Sequence, residues 1–120
     1  MNIEEAKEKI KPGWHKLIDK VYDIASLLPF AKITDITMNH SMIQIIFEKP
    51  LDKIQEYVLY CIQYRIERDS ARICQECGEY GTRRIEIPSG PRLCTTCYTL
   101  QYNEYMESVS PQVTNQEPQN

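Results

Sequence analysis

The chain has 120 residues, 42% of them hydrophobic and 26% charged, with a formal charge of −3 at pH 7. This fits one small globular domain or a domain with a metal-stapled appendix. No apolar run reaches the ~20 residues of a membrane span, which excludes a membrane partner. Broad, backbone-driven nucleic-acid binding needs clustered Lys and Arg, yet residues 93–120 hold three Glu and no base.

The opening Met-Asn-Ile-Glu-Glu-Ala-Lys is charged and lacks the apolar stretch of a signal peptide, so a reducing cytoplasm is the expected compartment. Residues 1–12 read as a solvated, partly helical lead-in broken by Pro12-Gly13. Trp14, Leu17, Ile18, Val21, Ile24, Ala25 and Leu28 recur at helical spacing and predict an amphipathic helix ending at Pro29, with Trp14 in the core. Two short β-like stretches follow, Ile33 to Met38 and Met42 to Phe47, the second alternating Ile43, Ile45 and Phe47 on one face. Asn39-His40-Ser41 can turn between them, so a hairpin is expected.

Residues 51–69 repeat a helical pattern through Leu51, Ile54, Val58, Cys61 or Ile62, and Ile66, with Asp52 placed to favour the first exposed amides. On this pattern Cys61 is a small buried hydrophobe. Tyr57, Tyr60 and Tyr64 form a flanking stripe, and beyond Cys94 a second stripe runs Tyr98, Tyr102, Tyr105 and Val109 along another predicted helix. From Ser110 the chain is polar and proline-bearing and reads as disordered. The organisation is thus a lead-in over 1–12, an α-β-β-α domain over 13–70, a cysteine module with a C-terminal helix over 71–109, and a tail over 110–120. The fold class is α+β.

Four of the five cysteines form two pairs of identical spacing, Cys74-Gln75-Glu76-Cys77 and Cys94-Thr95-Thr96-Cys97, with sixteen residues between them. Two residues between ligands let one tight turn aim both sulfurs at one ion, and two such turns complete a tetrahedron. In a reducing compartment this pattern favours Zn²⁺ over disulfides. Four thiolates leave no position for water or substrate, so the metal is structural, and no activated nucleophile is visible elsewhere. The chain therefore reads as a non-enzyme. Gly78 follows Cys77 where a left-handed backbone points amides at sulfur. A helix growing from the second pair favours a treble clef; a plain zinc ribbon would end in strands. Removing Cys74 or Cys97 is expected to melt 72–105 and leave 13–69 partly folded.

His15 and His40 read as surface or turn residues, since the cysteines already fill a zinc. Arg83, Arg84 and Arg92 lie between the pairs, where they suit either an anionic contact or a solvated hairpin flanked by Glu79 and Glu86. Tyrosine buries area while keeping a polar end, so Tyr57, Tyr60, Tyr64, Tyr98, Tyr102 and Tyr105 suit either a protein interface or packing of the two helices on each other.

Residues Cys74-Gln-Glu-Cys77-Gly78-Glu79, Arg83-Arg84-Ile85-Glu86-Ile87-Pro88 and Arg92-Leu93-Cys94-Thr-Thr-Cys97 resemble the zinc finger of the DksA/TraR-type RNA polymerase-binding regulators. The resemblance covers the finger alone; residues 33–47 are β-like where those regulators carry a long helical hairpin. More loosely, Gly13-Trp14 opening a helix and Ser70-Ala71-Arg72 leading into four cysteines look similar to small, mostly uncharacterised proteins of phages and bacteria. That resemblance implies a phage or mobile-element adaptor or inhibitor acting on a host protein complex, for example a defence system. The finger resemblance implies the alternative, a transcription regulator that binds RNA polymerase or DNA. The short hairpin and many tyrosines are also compatible with a homodimer.

Overall fold

Asn2 opens the first helix with a capping box: its Oδ1 accepts from the Glu5 amide at 2.8 Å, and Glu5 Oε1 accepts from the Asn2 amide at 2.9 Å. The computed structural model describes residues 1–39, 42–50 and 52–116. Helices α1 (Ile3–Lys9) and α2 (His15–Ser26) are joined by a 3-10 turn, Pro12–Trp14; an antiparallel hairpin, β1 (Ile33–Asn39) and β2 (Met42–Phe47), comes next. Helix α3 (Lys53–Ser70), the two-residue strands β3 (Thr82–Arg83) and β4 (Arg92–Leu93), and α4 (Thr95–Gln116) complete the α+β fold. Among the described residues no helix is long and apolar enough to cross a membrane.

The main core joins α1, α2, the β1–β2 hairpin and α3 around Trp14, Ile18, Val21, Ile36, Ile43, Ile45 and Ile66, all essentially without solvent exposure. Alternation puts Ile43 and Ile45 on the inner face of β2, as the period-2 pattern predicts. The β1–β2 register slips between Ile33 and Asp35, where Thr34 Oγ1 donates to the Ile46 carbonyl at 3.1 Å. The turn at His40-Ser41 and the expected helical position Leu51 lie outside the described residues.

Several expectations change. Residues 1–12 are more than a solvated lead-in, because Ala6 and Ile10 are buried in the same core as Trp14. Two apolar residues in a charged segment are enough when a neighbouring helix supplies the rest of the contact. Helix α3 packs inward through Ile62 and Ile66, as the helical pattern predicts, but adds buried Leu59 and leaves Ile54 78% exposed. Cys61 is exposed, not buried, and its thiol lies against Tyr57 one turn earlier. Two apolar stripes run along this helix, and the stripe through Leu59, Ile62 and Ile66 meets the hairpin. Helix α4 continues to Gln116, past the expected end at Ser110. A polar, proline-bearing composition does not forbid a helical backbone; residues 117–120 lie outside the described residues.

Candidate metal centre

The first Cys-x-x-Cys turn is closed by backbone bonds. Ile73 bridges Tyr80, the Cys74 amide donates to the Glu79 carbonyl at 2.7 Å, and the Gly78 amide donates to the Cys74 carbonyl at 2.9 Å. Gly78 has φ +86°, the left-handed conformation that glycine adopts without steric cost. The second pair straddles the start of α4: Cys94 immediately precedes Thr95, and the Tyr98 amide donates to the Cys94 carbonyl at 2.8 Å. The β3–β4 ladder and the Gln75 amide, which donates to the Arg92 carbonyl at 2.9 Å, bring the two turns together.

The result is a cluster in which the Sγ atoms of Cys74, Cys77, Cys94 and Cys97 all lie within 4.8 Å of one another. Cys77 and Cys94 approach to 3.6 Å. A tetrahedron with metal–sulfur bonds of ~2.3 Å has edges of about 3.8 Å, whereas a disulfide needs ~2.05 Å. The spacing is that of metal ligands, and these four side chains could hold a metal ion.

The local electrostatics agree. Burial raises the Cys74 thiol, but amides of Cys94, Cys77 and Glu76 outweigh it and draw the pKa down to about 7. Cys97 is pushed up by burial and by the three neighbouring sulfurs. At Cys77 the Glu79 amide lowers the pKa, but burial and the Cys94 and Cys74 sulfurs prevail and raise it. Four sulfurs this close cannot all ionise without a cation among them; a divalent ion removes that conflict. Cys74 is fully buried while Cys77 is exposed, so the cage is closed on the protein side and faces solvent on the other.

Buried Cys74, Ile87 and Leu93 form a second, small core with Cys94, Cys97, Tyr98 and Tyr102 packed against it. Arg84 Nε donates to the Leu93 carbonyl at 3.1 Å, and its guanidinium carbon lies 4.5 Å from the Tyr98 ring centroid. The finger is also joined to the main core. Gly13 donates its amide to the Gln75 carbonyl at 2.7 Å, Trp14 Nε1 donates to the Ile73 carbonyl at 2.9 Å, and Lys11 pairs with Glu76 at 3.6 Å. These joining residues were not apparent as site residues; the Pro12-Gly13 break was the one sequence signal near them.

The other expected site residues are scattered. Tyr57, Tyr60 and Tyr64 are 67%, 58% and 49% exposed along α3, with Tyr60 and Tyr64 stacked at 6.1 Å. They do not pack the helices together. Tyr98 and Tyr102 lie 5.6 Å apart in the finger's core, which gives them a structural part, and Tyr105 is half-buried further along α4. Arg83 stands directly opposite Arg92 across β3–β4. His15 Nε2 lies 2.9 Å from the carbonyl oxygens of both Lys7 and Ile10, away from the sulfur cluster. His40 lies outside the described residues.

Comparison of the chain with family models, with curated proteins and with solved structures returned no match. The site must therefore be read from its own geometry.

Proposed function

We propose that this chain is a non-enzymatic protein-interaction module whose finger is stapled by Zn²⁺, and that it acts as an adaptor or inhibitor on a host protein complex in the cytoplasm. The four-sulfur cluster supports this reading most directly. Zinc suits tetrahedral thiolate sets, and a complete set leaves no coordination position for substrate. Such an ion contributes folding free energy, with binding worth on the order of 10 kcal/mol in small zinc modules.

What the staple holds in place is contact surface. The exposed ridge of Ile54, Tyr57, Tyr60 and Tyr64 repeats at helical spacing on α3, and Tyr80 and Ile85 are 72% and 75% exposed on the finger. Aromatic residues on rigid elements are the groups that anchor protein interfaces. A phage or mobile-element origin accords with the loose sequence resemblance. The test is affinity capture with the zinc-loaded full chain from a bacterial lysate, with cross-linking to locate the contact. A stoichiometric protein partner, lost on Tyr57→Ala/Tyr64→Ala and on chelation, is the expected result.

The alternative is a transcription regulator that contacts RNA polymerase or DNA through the finger, and the cross-strand pairing of Arg83 with Arg92 is the observation in its favour. A steep loss of DNA binding with salt would support it; shallow or absent DNA binding with protein capture supports the interaction module.

A further inference from the structure

A groove runs between helix α3 and strand β2. It consists of two adjoining hollows of about 330 and 260 Å³, both open to solvent, that share Tyr60 and Gln63. The first has apolar walls in Phe47 and Leu59; the second is lined by Tyr60, Tyr64 and Glu67. Its frame is tied down. Gln63 donates its Nε2 to the Ile45 carbonyl, which fixes it to β2. Arg68 donates to the Tyr64 hydroxyl at 2.8 Å, and the Tyr64 ring stacks 6.1 Å from that of Tyr60. The groove is also acidic. Glu48 and Glu56 line the first hollow and Glu67 the second, against one cation, Lys49. Among the described residues none of these three carboxylates makes an ion pair. Glu67 is half-buried, and burial raises its carboxyl above the ordinary range. Its charge has lost solvation that the fold does not replace.

We infer that this groove takes a basic segment of the partner protein, with a lysine or arginine side chain among Tyr60, Tyr64 and Glu67 and an apolar side chain against Phe47 and Leu59. A cation set against tyrosine rings and a carboxylate gains from both the ring faces and a charge-assisted hydrogen bond. It also gives Glu67 the partner that the fold withholds. Phosphate-bearing partners do not suit this surface, because three carboxylates repel them and one lysine is too few to displace counterions. A small molecule is usually held in a more enclosed site than these two open hollows. The net charge of −3 draws a basic partner from further away. The inference rests on the interaction-module reading and names the chemistry of the segment that α3 would meet.

The test measures fluorescence anisotropy of a short peptide alternating lysine and leucine with the zinc-loaded full chain. A glutamate–leucine peptide of equal length and a DNA duplex run in parallel. The lysine peptide is expected to bind, more weakly as salt is added, and the other two are not. Glu67→Gln should weaken that binding about tenfold, as loss of a charge-assisted contact implies. Tyr60→Ala should weaken it as well, through the lost ring face. Glu107→Gln on α4 makes the same change in net charge away from the groove and should leave binding as it was. Tyr60 is 58% exposed and the Glu67 carboxylate has no ion pair among the described residues, so both groove variants should fold as the parent chain does. A lysine peptide that does not bind, binding that survives both groove variants or falls equally in Glu107→Gln, or a preference for the duplex or the glutamate peptide would each overturn the inference. The two readings fail separately: a protein captured from the lysate whose binding survives Glu67→Gln and Tyr60→Ala removes the basic-segment groove and leaves the interaction module standing.

Discussion

The indole of Trp14 donates its Nε1–H to the carbonyl oxygen of Ile73 at 2.9 Å, and Ile73 is the residue that precedes Cys74, the first cysteine of the four-sulfur cluster. Trp14 has no solvent exposure and sits in the main core, so the cysteine module is joined to that core by a part-buried hydrogen bond. Gly13 adds a second tie through Gln75. The two parts are thus joined by a side-chain and a backbone hydrogen bond.

Chelation is therefore expected to reach Trp14. Trp14 is the single tryptophan of the chain, so its emission reports on this one junction. Removing the metal should loosen the turn at 73–79, expose the indole and shift its emission to the red, reversed by adding Zn²⁺. Emission that stays put while hydrogen exchange shows the finger unfolded would mean that the junction transmits nothing. Trp14→Phe keeps much of the apolar bulk but leaves the part-buried Ile73 carbonyl without its donor, at a cost of about 1 kcal/mol by chemical denaturation.

Gly13→Ala tests the backbone contact itself. A Cβ at this position would fall 2.0 Å from the Cys74 carbonyl oxygen and 2.5 Å from the Gln75 carbonyl carbon, both of them backbone atoms with little room to move. The two segments must separate, and overpacking of this kind costs about 1–3 kcal/mol or more. Because the displaced residue belongs to the four-sulfur cluster, zinc affinity should fall along with the thermal midpoint. A competition titration with a chromophoric chelator measures the first and calorimetry the second. A change in stability alone would place the strain elsewhere than at Cys74.

Much of this was legible in the sequence, for physical reasons. The Cys-x-x-Cys pairs, the helix that opens at the second pair, the β1–β2 hairpin and the buried Trp14 all follow from local spacing and pattern. What was not legible depended on choices made between elements. Helix α3 carries apolar residues on two faces, and only the position of β2 selects Leu59 beside Ile62 and Ile66 over Ile54 and Cys61. Ala6 and Ile10 are too few to signal a core helix on their own. Gly13 reads as a helix breaker, and nothing local reveals that another backbone lies against it.

Glu67 provides a test of pH dependence. Burial raises its carboxyl above the ordinary range in the folded chain. The folded state then binds the proton more tightly than the unfolded one, so this group's unfavourable effect appears as pH rises through the ordinary carboxylate range and is complete above the folded pKa. Glu67→Gln should accordingly stabilise the chain at neutral pH, by less than about 1 kcal/mol because the group is largely solvated. The gain should vanish in acid, below the ordinary pKa. Urea midpoints for both proteins across that range give the comparison, and a gain that persists in acid would assign the effect to something other than ionisation.

Ser70 closes an edge that the hairpin leaves open. A two-stranded sheet has two outer edges, and unpaired edge groups invite pairing with other chains. On β2 the Ile43 amide donates to Ser70 Oγ at 3.0 Å, Ser70 Oγ donates on to the Glu67 carbonyl at 2.7 Å, and Gln63 Nε2 donates to the Ile45 carbonyl. Side chains of α3 thus stand where a third strand would pair. Ser70 is fully buried, so Ser70→Ala leaves the Ile43 amide without a partner in a place water does not reach. The expected cost is about 1–3 kcal/mol. Ser70→Thr keeps the hydroxyl and should recover part of it, unless the added methyl finds no room. Amide exchange localises the effect: protection at Ile43 should fall in Ser70→Ala more than protection elsewhere in β2, and uniform loss along the strand would point to a packing defect instead of a missing acceptor.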